Sequence, residues 1–101
     1  MRDITPVEAK QRIAEGAVLI DVRELHEWHE AHVAEARHMP LMEVPERLHE
    51  FPRDREVVLI CRSGRRSGNA CDFLVERGFD GVFNLAGGML AWVQAGLPVE
   101  R

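Results

Sequence analysis

The run Val57-Val58-Leu59-Ile60-Cys61-Arg62-Ser63-Gly64-Arg65-Arg66-Ser67-Gly68 decides the fold. Its first four residues are continuously apolar and mostly β-branched, too short for a helix, and read as a strand buried on both faces. A loop with glycines follows. From Arg65 to Arg77 the apolar residues Ala70, Phe73 and Leu74 then form a helical stripe that Gly78 ends. Upstream, Val18-Leu19-Ile20 gives a second buried strand ending at Asp21. Thr5-Pro6-Val7-Glu8 before it has the pattern of a capping box, opening a helix that carries Val7, Ala9, Ile13 and Ala14 and stops near Gly16. Downstream, Phe79, Val82, Phe83 and Leu85 mark a further strand, and Gly87-Gly88 turns into a helix holding Leu90, Ala91, Trp92 and Val93. Between these lie a short helix over His26–His32, anchored by Trp28 and Val33, and a helix over Leu41–Phe51, with Leu41, Val44, Leu48 and Phe51 on one side and Pro52 as its stop. This alternation predicts an α/β fold: a small open, mostly parallel sheet with helices on both faces, in a single domain over 1–101. Ligands of such sheets bind beyond the C-terminal strand ends, which directs attention to the residues just after Asp21 and just after Ile60.

Composition narrows the function classes. The 101 residues suffice for one modest core. With 17 acidic and 13 basic side chains the net charge is −4, which argues against a general nucleic-acid or anionic-membrane binder. Glycine aside, no apolar run exceeds five residues, far short of the ~20 that span a bilayer. Asp3 and Pro6 interrupt the start of the chain before a signal-peptide core could form. Two cysteines do not make a disulfide framework, so the expected setting is a reducing cytoplasm.

The chemistry points to Cys61. A cysteine leaves a buried strand, and Arg62, Arg65 and Arg66 crowd the next five positions of an otherwise acidic protein. A free thiol, with a pKa of ~8.5, is a few per cent thiolate at neutral pH. Loop N–H groups, a helix N-terminus and guanidinium groups would all favour the anion. Gly64 and Gly68 allow the backbone to bring its amides close to a ligand. Without these features, a cysteine after a buried strand is most often an inert small hydrophobe; desolvated positive charge in the loop reverses those odds. A phosphatase cradle for tetrahedral phosphate has five residues between cysteine and arginine. Here four residues separate Cys61 from Arg66, a ring better suited to one additional sulfur atom on the cysteine.

Other residues tempt and carry less. His26, His29 and His32 recur at i, i+3 rather than the i, i+4 of a zinc-binding helix, so they read as a solvated face, with a structural place left open for His32, and no metal is assigned. Glu24, Glu27 and Glu30 read as an exposed charge run. Cys71, about two turns into the helix, reads as core packing rather than a redox partner. Trp28, Trp92, Met39, Met42 and Met89 read as core or rim. Gly87-Gly88 lacks the lysine of a phosphate loop and the pattern of a dinucleotide fingerprint, so neither nucleotide nor other cofactor is implied.

The chain resembles the single-domain form of the rhodanese family of sulfurtransferases, in pieces that follow in order along nearly the whole chain. Asp21-Val22-Arg23-Glu24 with Glu27-Trp28 looks like one family segment. Ala31-His32-Val33, running to Ala36 and Met39-Pro40, looks like a second, and Cys61 to Ser67 looks like the active-site loop. Phe73-Leu74, Gly78-Phe79, Leu85-Ala86-Gly87-Gly88, Ala91-Trp92 and Gly96-Leu97-Pro98-Val99 complete the likeness. Ala31, Ala34, Glu35 and His38 depart from the family's usual Gly, Pro, Gly and Asn, all outside the cysteine loop. The resemblance implies a double displacement. The Cys61 thiolate takes sulfane sulfur from a small anionic donor such as thiosulfate, the loop from Arg62 through Ser63, Gly64 and Arg65 to Arg66 holds the persulfide, and cyanide, a thiol or a protein acceptor removes it. It also implies that Arg66 folds back to brace the loop while Arg62 and Arg65 point outward. Asp21, Arg23 and Ser67 are possible supports; for Asp21 and Arg23 a salt bridge or cap without catalytic effect is an equal reading. The rival functions are a docking or regulatory module on the same fold, and a small phosphatase or arsenate reductase.

Overall fold

In the computed structural model, residues 2–101 are described; Met1, part of the predicted single domain, lies outside them. The elements run β1 (Arg2–Ile4), α1 (Pro6–Ala14), β2 (Val18–Asp21), α2 (Leu25–Glu30), β3 (Arg37–His38), two 3-10 turns (Leu41–Glu43 and Leu48–Glu50), β4 (Val57–Ile60), α3 (Arg65–Glu76), β5 (Val82–Leu85) and α4 (Gly88–Gln94). The strands form one sheet in the order β1-β5-β4-β2-β3, and every pairing between them is parallel. The anticipated α/β architecture is the observed one, with a fully parallel ladder.

Strand alternation sorts the core into two layers. Val57, Leu59 and Cys61 face α3 and pack with Ala70, Cys71 and Leu74. Val58 and Ile60 face the opposite way, with Ala9 of α1 and Met89 and Trp92 of α4. Each of the four β4 side chains is at most 1% exposed; full burial of such a side chain contributes about 1.5–3 kcal/mol. The central strand is therefore rigid where it delivers Cys61. Register places Leu59 beside Asn84 of β5, so Asn84, two residues beyond Val82, shares the α3 face one step short of Cys61.

Several expectations need correction. Leu41–Phe51 is not one helix: Pro45 has no N–H to give the Leu41 carbonyl, and its ring clashes with that carbonyl, leaving two 3-10 turns. Val44 and Phe51 nonetheless reach the α3-side core, with Leu41 and Leu48 packed against it. The Thr5 side chain accepts the Glu8 N–H as an N-cap should, but the Glu8 carboxylate turns to Arg2 and Arg12, so the box closes on one side only. Val7 and Met42 are exposed rather than packed, and Phe79 is buried just ahead of β5 rather than within it. The edge strands β1 and β3 were absent from the periodicity reading, being three and two residues long. Ala31, Ala34 and Glu35 sit without strain: no non-glycine residue among those described has a positive φ, and Ala31 is extended at φ −171°. Among the described residues, no helix is long and apolar enough to cross a membrane.

Candidate functional site

Cys61 follows directly on β4 and has no exposed surface. The backbone then turns sharply back toward the sulfur. Gly64, at φ +99°, is the N-cap of α3, and its N–H donates to the Cys61 Sγ at 3.1 Å. The Ser67 hydroxyl lies 3.3 Å from the same sulfur. Burial pushes the thiol pKa up, but the Ser67 hydroxyl and the N–H groups of Ser67, Gly64 and Ser63 outweigh it, leaving the pKa below its ordinary value. Donors do turn toward the sulfur. They come from Ser63, Gly64 and Ser67, and not from the arginine peptide groups.

The three loop arginines take different positions. Arg66, half-buried, meets Glu27 of α2 through two bonds of 2.8 Å. That contact holds the Glu27 pKa down at about 2 and raises the Arg66 pKa. Glu27 is thus the loop's anchor and not part of a solvated run; its side chain is 15% exposed. Helix α2 is itself closed by reciprocal capping between Glu24 and Glu27. Arg62 and Arg65 are exposed, and among the described residues neither makes an ion pair. Ser63 is also exposed at the loop's rim.

Asp21 and Arg23 form a buried pair behind this anchor. The Arg23 Nε donates to Asp21 Oδ1 at 3.0 Å and its Nη2 to Oδ2 at 2.9 Å. Nη2 also donates to the Ala31 carbonyl at 2.6 Å, tying the end of β2 to the end of α2. Neither residue bonds to Cys61; the two form the salt bridge of the second reading, with the Arg23 N–H also donating to Asp21 Oδ1 at 3.0 Å. Breaking a buried pair by removing one partner costs about 3–5 kcal/mol.

Three features escaped sequence reasoning. The first is the α4 start: Met89 N–H donates to the Cys61 carbonyl at 2.8 Å and Leu90 N–H to the Arg62 carbonyl at 3.1 Å. Gly88 makes this approach possible, since a Cβ there would stand 2.4 Å from the Cys61 carbonyl oxygen. The second is Asn84, which is 5% exposed and bonds to Ser67, Gly64 and Asp3. Its sequence signal was a polar residue at an inward position of Val82-Phe83-Asn84-Leu85. The third is a stack in which the Trp28 ring lies 3.8 Å from His32 and 5.1 Å from His38, between centroids. His32 Nδ1 bonds with the Trp28 carbonyl and His38 Nε2 with that of Arg23, so these two histidines are structural. Cys71 lies in the core as expected, its thiol pushed up to about 12, chiefly by burial.

Beside the loop an open cleft of about 270 Å³ is lined by Arg23, Glu27, Glu30, Ala31, Arg62, Met89, Leu90 and Val93, so guanidiniums, carboxylates and apolar side chains all face it. Chemically, the arrangement offers a thiol whose pKa is lowered, donors turned toward its sulfur and two exposed guanidiniums at the rim; among the described residues no carboxylate or imidazole bonds to the sulfur.

Comparison with known proteins accords with this geometry. The family described as Rhodanese-like domain matches residues 5–95. A sulfurtransferase of Allochromatium vinosum is 39% identical over 101 residues, covering 98% of this chain and 94% of that protein. The thiosulfate sulfurtransferase GlpE of Actinobacillus pleuropneumoniae serotype 7 is 36% identical over 99 residues, covering 97% and 92% respectively. Among solved structures, a rhodanese-related protein from Thermoplasma volcanium superposes with a TM-score of 0.91 at 29% identity, covering 99% of this chain and 98% of that one.

Proposed function

The chain belongs to the rhodanese-like family of sulfurtransferases, and from that premise we propose that it carries sulfane sulfur from a small anionic donor such as thiosulfate to a thiophilic acceptor, as a persulfide on Cys61. The observation that carries this reading is the convergence of the Gly64 N–H and the Ser67 hydroxyl on the Cys61 sulfur, at 3.1 and 3.3 Å.

The Cys61 thiolate attacks the outer sulfur of thiosulfate, the S–S bond of the donor breaks, and sulfite leaves with the electron pair. The persulfide retains the single negative charge, now on its outer sulfur. Cyanide, a small thiolate or a protein thiolate then attacks that outer sulfur and releases the Cys61 thiolate. Nucleophiles and leaving groups are all anions, so no proton is moved in either step. What the protein supplies is a preorganised positive environment: fixed N–H groups, and Arg62 and Arg65 at the rim to draw the donor in. Arg66 acts from behind through Glu27, and Asp21 with Arg23 supports α2. The single arginine-braced turn with four intervening residues disfavours phosphate chemistry, and an activated thiolate disfavours a purely docking role. A reducing compartment such as the cytoplasm suits a thiol that must return to its reduced form each cycle.

Intact mass after incubation with thiosulfate tests the reading. The chain should gain one sulfur atom, lose it on addition of cyanide or dithiothreitol, and gain none as Cys61→Ser. Unchanged mass in the wild-type chain, or hydrolysis of an aryl phosphate in its place, would overturn it.

A further inference from the structure

The Ser67 hydroxyl carries one proton and faces two acceptors. It stands 2.6 Å from Asn84 Oδ1 and 3.3 Å from the Cys61 Sγ. It can donate to only one at a time. Asn84 cannot escape the competition by flipping its amide, because Nδ2 already donates to the Gly64 carbonyl at 3.0 Å and to the Asp3 carboxylate at 3.1 Å. Ser67 and Asn84 are buried beneath the loop, 0% and 5% exposed, while Asp3 lies at the exposed end of the network.

We propose that Asn84 is a positioning residue that shares the Ser67 proton with Cys61 according to the charge on the sulfur. When the sulfur is an uncharged thiol, the Ser67 hydroxyl donates to Asn84 Oδ1, the shorter contact, and its oxygen is free to accept from the S–H group. When the S–H proton leaves to solvent, the hydroxyl turns about its Cβ–Oγ bond and donates to the thiolate, a charge-assisted bond that outcompetes a neutral one. No other bond forms or breaks. On the persulfide reading of the function, the switch has a second use. Persulfide formation moves the negative charge to the outer sulfur, so the hydroxyl returns to Asn84 and the loop N–H groups take over. Asn84 therefore makes the thiolate less stable than Ser67 alone would, and eases the passage of charge outward along the S–S bond.

The charges around the sulfur are Asp3 of β1 behind Asn84, Arg66 of α3 paired with Glu27 of α2, Arg62 and Arg65 on the loop, the buried Asp21–Arg23 pair after β2, and Asp72 with the neutral Cys71 on α3. None of them bonds to the Ser67 hydroxyl, so a variant confined to Asn84 and Ser67 isolates the switch.

The test is a thermodynamic cycle read by thiolate ultraviolet absorbance against pH, without any sulfur donor. The Cys71 thiol, at about 12, leaves the lower titration to Cys61. Ser67→Ala should raise the Cys61 pKa. Asn84→Ala should lower it by about one pH unit, the scale of one redirected hydrogen bond. In the Ser67→Ala background Asn84→Ala should leave it unchanged. A pKa that rises in Asn84→Ala, or an equal shift in both backgrounds, would overturn the proposal in favour of simple anchoring of Gly64. If Asn84→Ala does not fold, Asn84→Val keeps a strand-compatible side chain without an acceptor. The absence of a rise in Ser67→Ala alone is also fatal. Because no substrate is present, failure here is distinct from failure of sulfur transfer, which the mass measurement reports.

Discussion

Cys61 and Cys71 stand ten positions apart, are both wholly shielded from solvent and belong to the same side of the core, yet their thiols are displaced in opposite directions. Burial pushes the Cys71 thiol up to about 12, with little to oppose it. Burial pushes on Cys61 too, but donors from Ser67, Gly64 and Ser63 reverse the outcome. The difference is one of backbone. Cys71 lies inside α3, where the helix keeps its amides for itself; Cys61 precedes α3, where the first N–H groups have no partner within the helix and can serve a sulfur. Shielding alone raises a thiol's pKa, while shielding with aimed donors lowers it.

The largest effect that separates the pair is on turnover. Cys61→Ser should abolish sulfur transfer with folding unchanged, while Cys71→Ala should keep activity near that of the wild type and lower stability by about 1 kcal/mol. Steady-state assays with urea titration check both, and loss of activity in Cys71→Ala would erase the distinction. Next comes Gly88→Ala, which touches neither sulfur. The new methyl group would collide with the Cys61 and Arg62 backbone at a position whose φ is +57°. It should destabilise the fold by about 1–3 kcal/mol and depress the rate through a displaced loop. Wild-type kinetics in that variant would show that α4 does not hold the cradle.

Two smaller effects sharpen the comparison through pH. The Glu27 pKa is lowered to about 2 in the folded chain, so the contribution of its pair with Arg66 is fully present above the unfolded value of ~4.3 and lost as pH falls toward 2. Glu27→Gln should flatten this part of the acid limb, measured as Tm against pH. The thiols act at the other end. Between the lowered Cys61 pKa and ~8.5 the unfolded chain holds more protons, and stability rises with pH on Cys61's account. Above ~8.5 and up to about 12 the folded chain holds more, because Cys71 stays protonated, and stability falls. Cys71→Ala should remove that alkaline decline and Cys61→Ala the preceding rise. Identical Tm profiles for the two variants would contradict the assignment of opposite shifts.

What was legible in the chain follows from the range of the interactions involved. Val18–Asp21 and Val57–Ile60 are fully apolar up to their ends and needed only local pattern. The helix from Arg65 to Glu76 showed its stripe and its stop. Arg2–Ile4 and Arg37–His38 did not, since a strand of two or three residues completes no period and exists only because β5 and β2 offer an edge. The cysteine loop was readable because glycines and arginines cluster next to it in sequence. Its supports were hidden by distance: Glu27 lies 39 positions from Arg66, and Asp3 lies 81 from Asn84. Periodicity assigned Glu27 to solvent because its neighbours Glu24 and Glu30 are indeed exposed. Pro45 could have warned against a continuous Leu41–Phe51 helix, as its ring is incompatible with an interior helical position.

The complete enclosure of the Cys61 sulfur also selects its reaction partners by shape. On the proposed sulfur-transfer reading, a donor must present its reacting sulfur at the tip of a slender group to reach an atom with no exposed surface. Slow labelling of Cys61 by a bulky alkylating reagent, set beside fast labelling by a small one, would measure that selection.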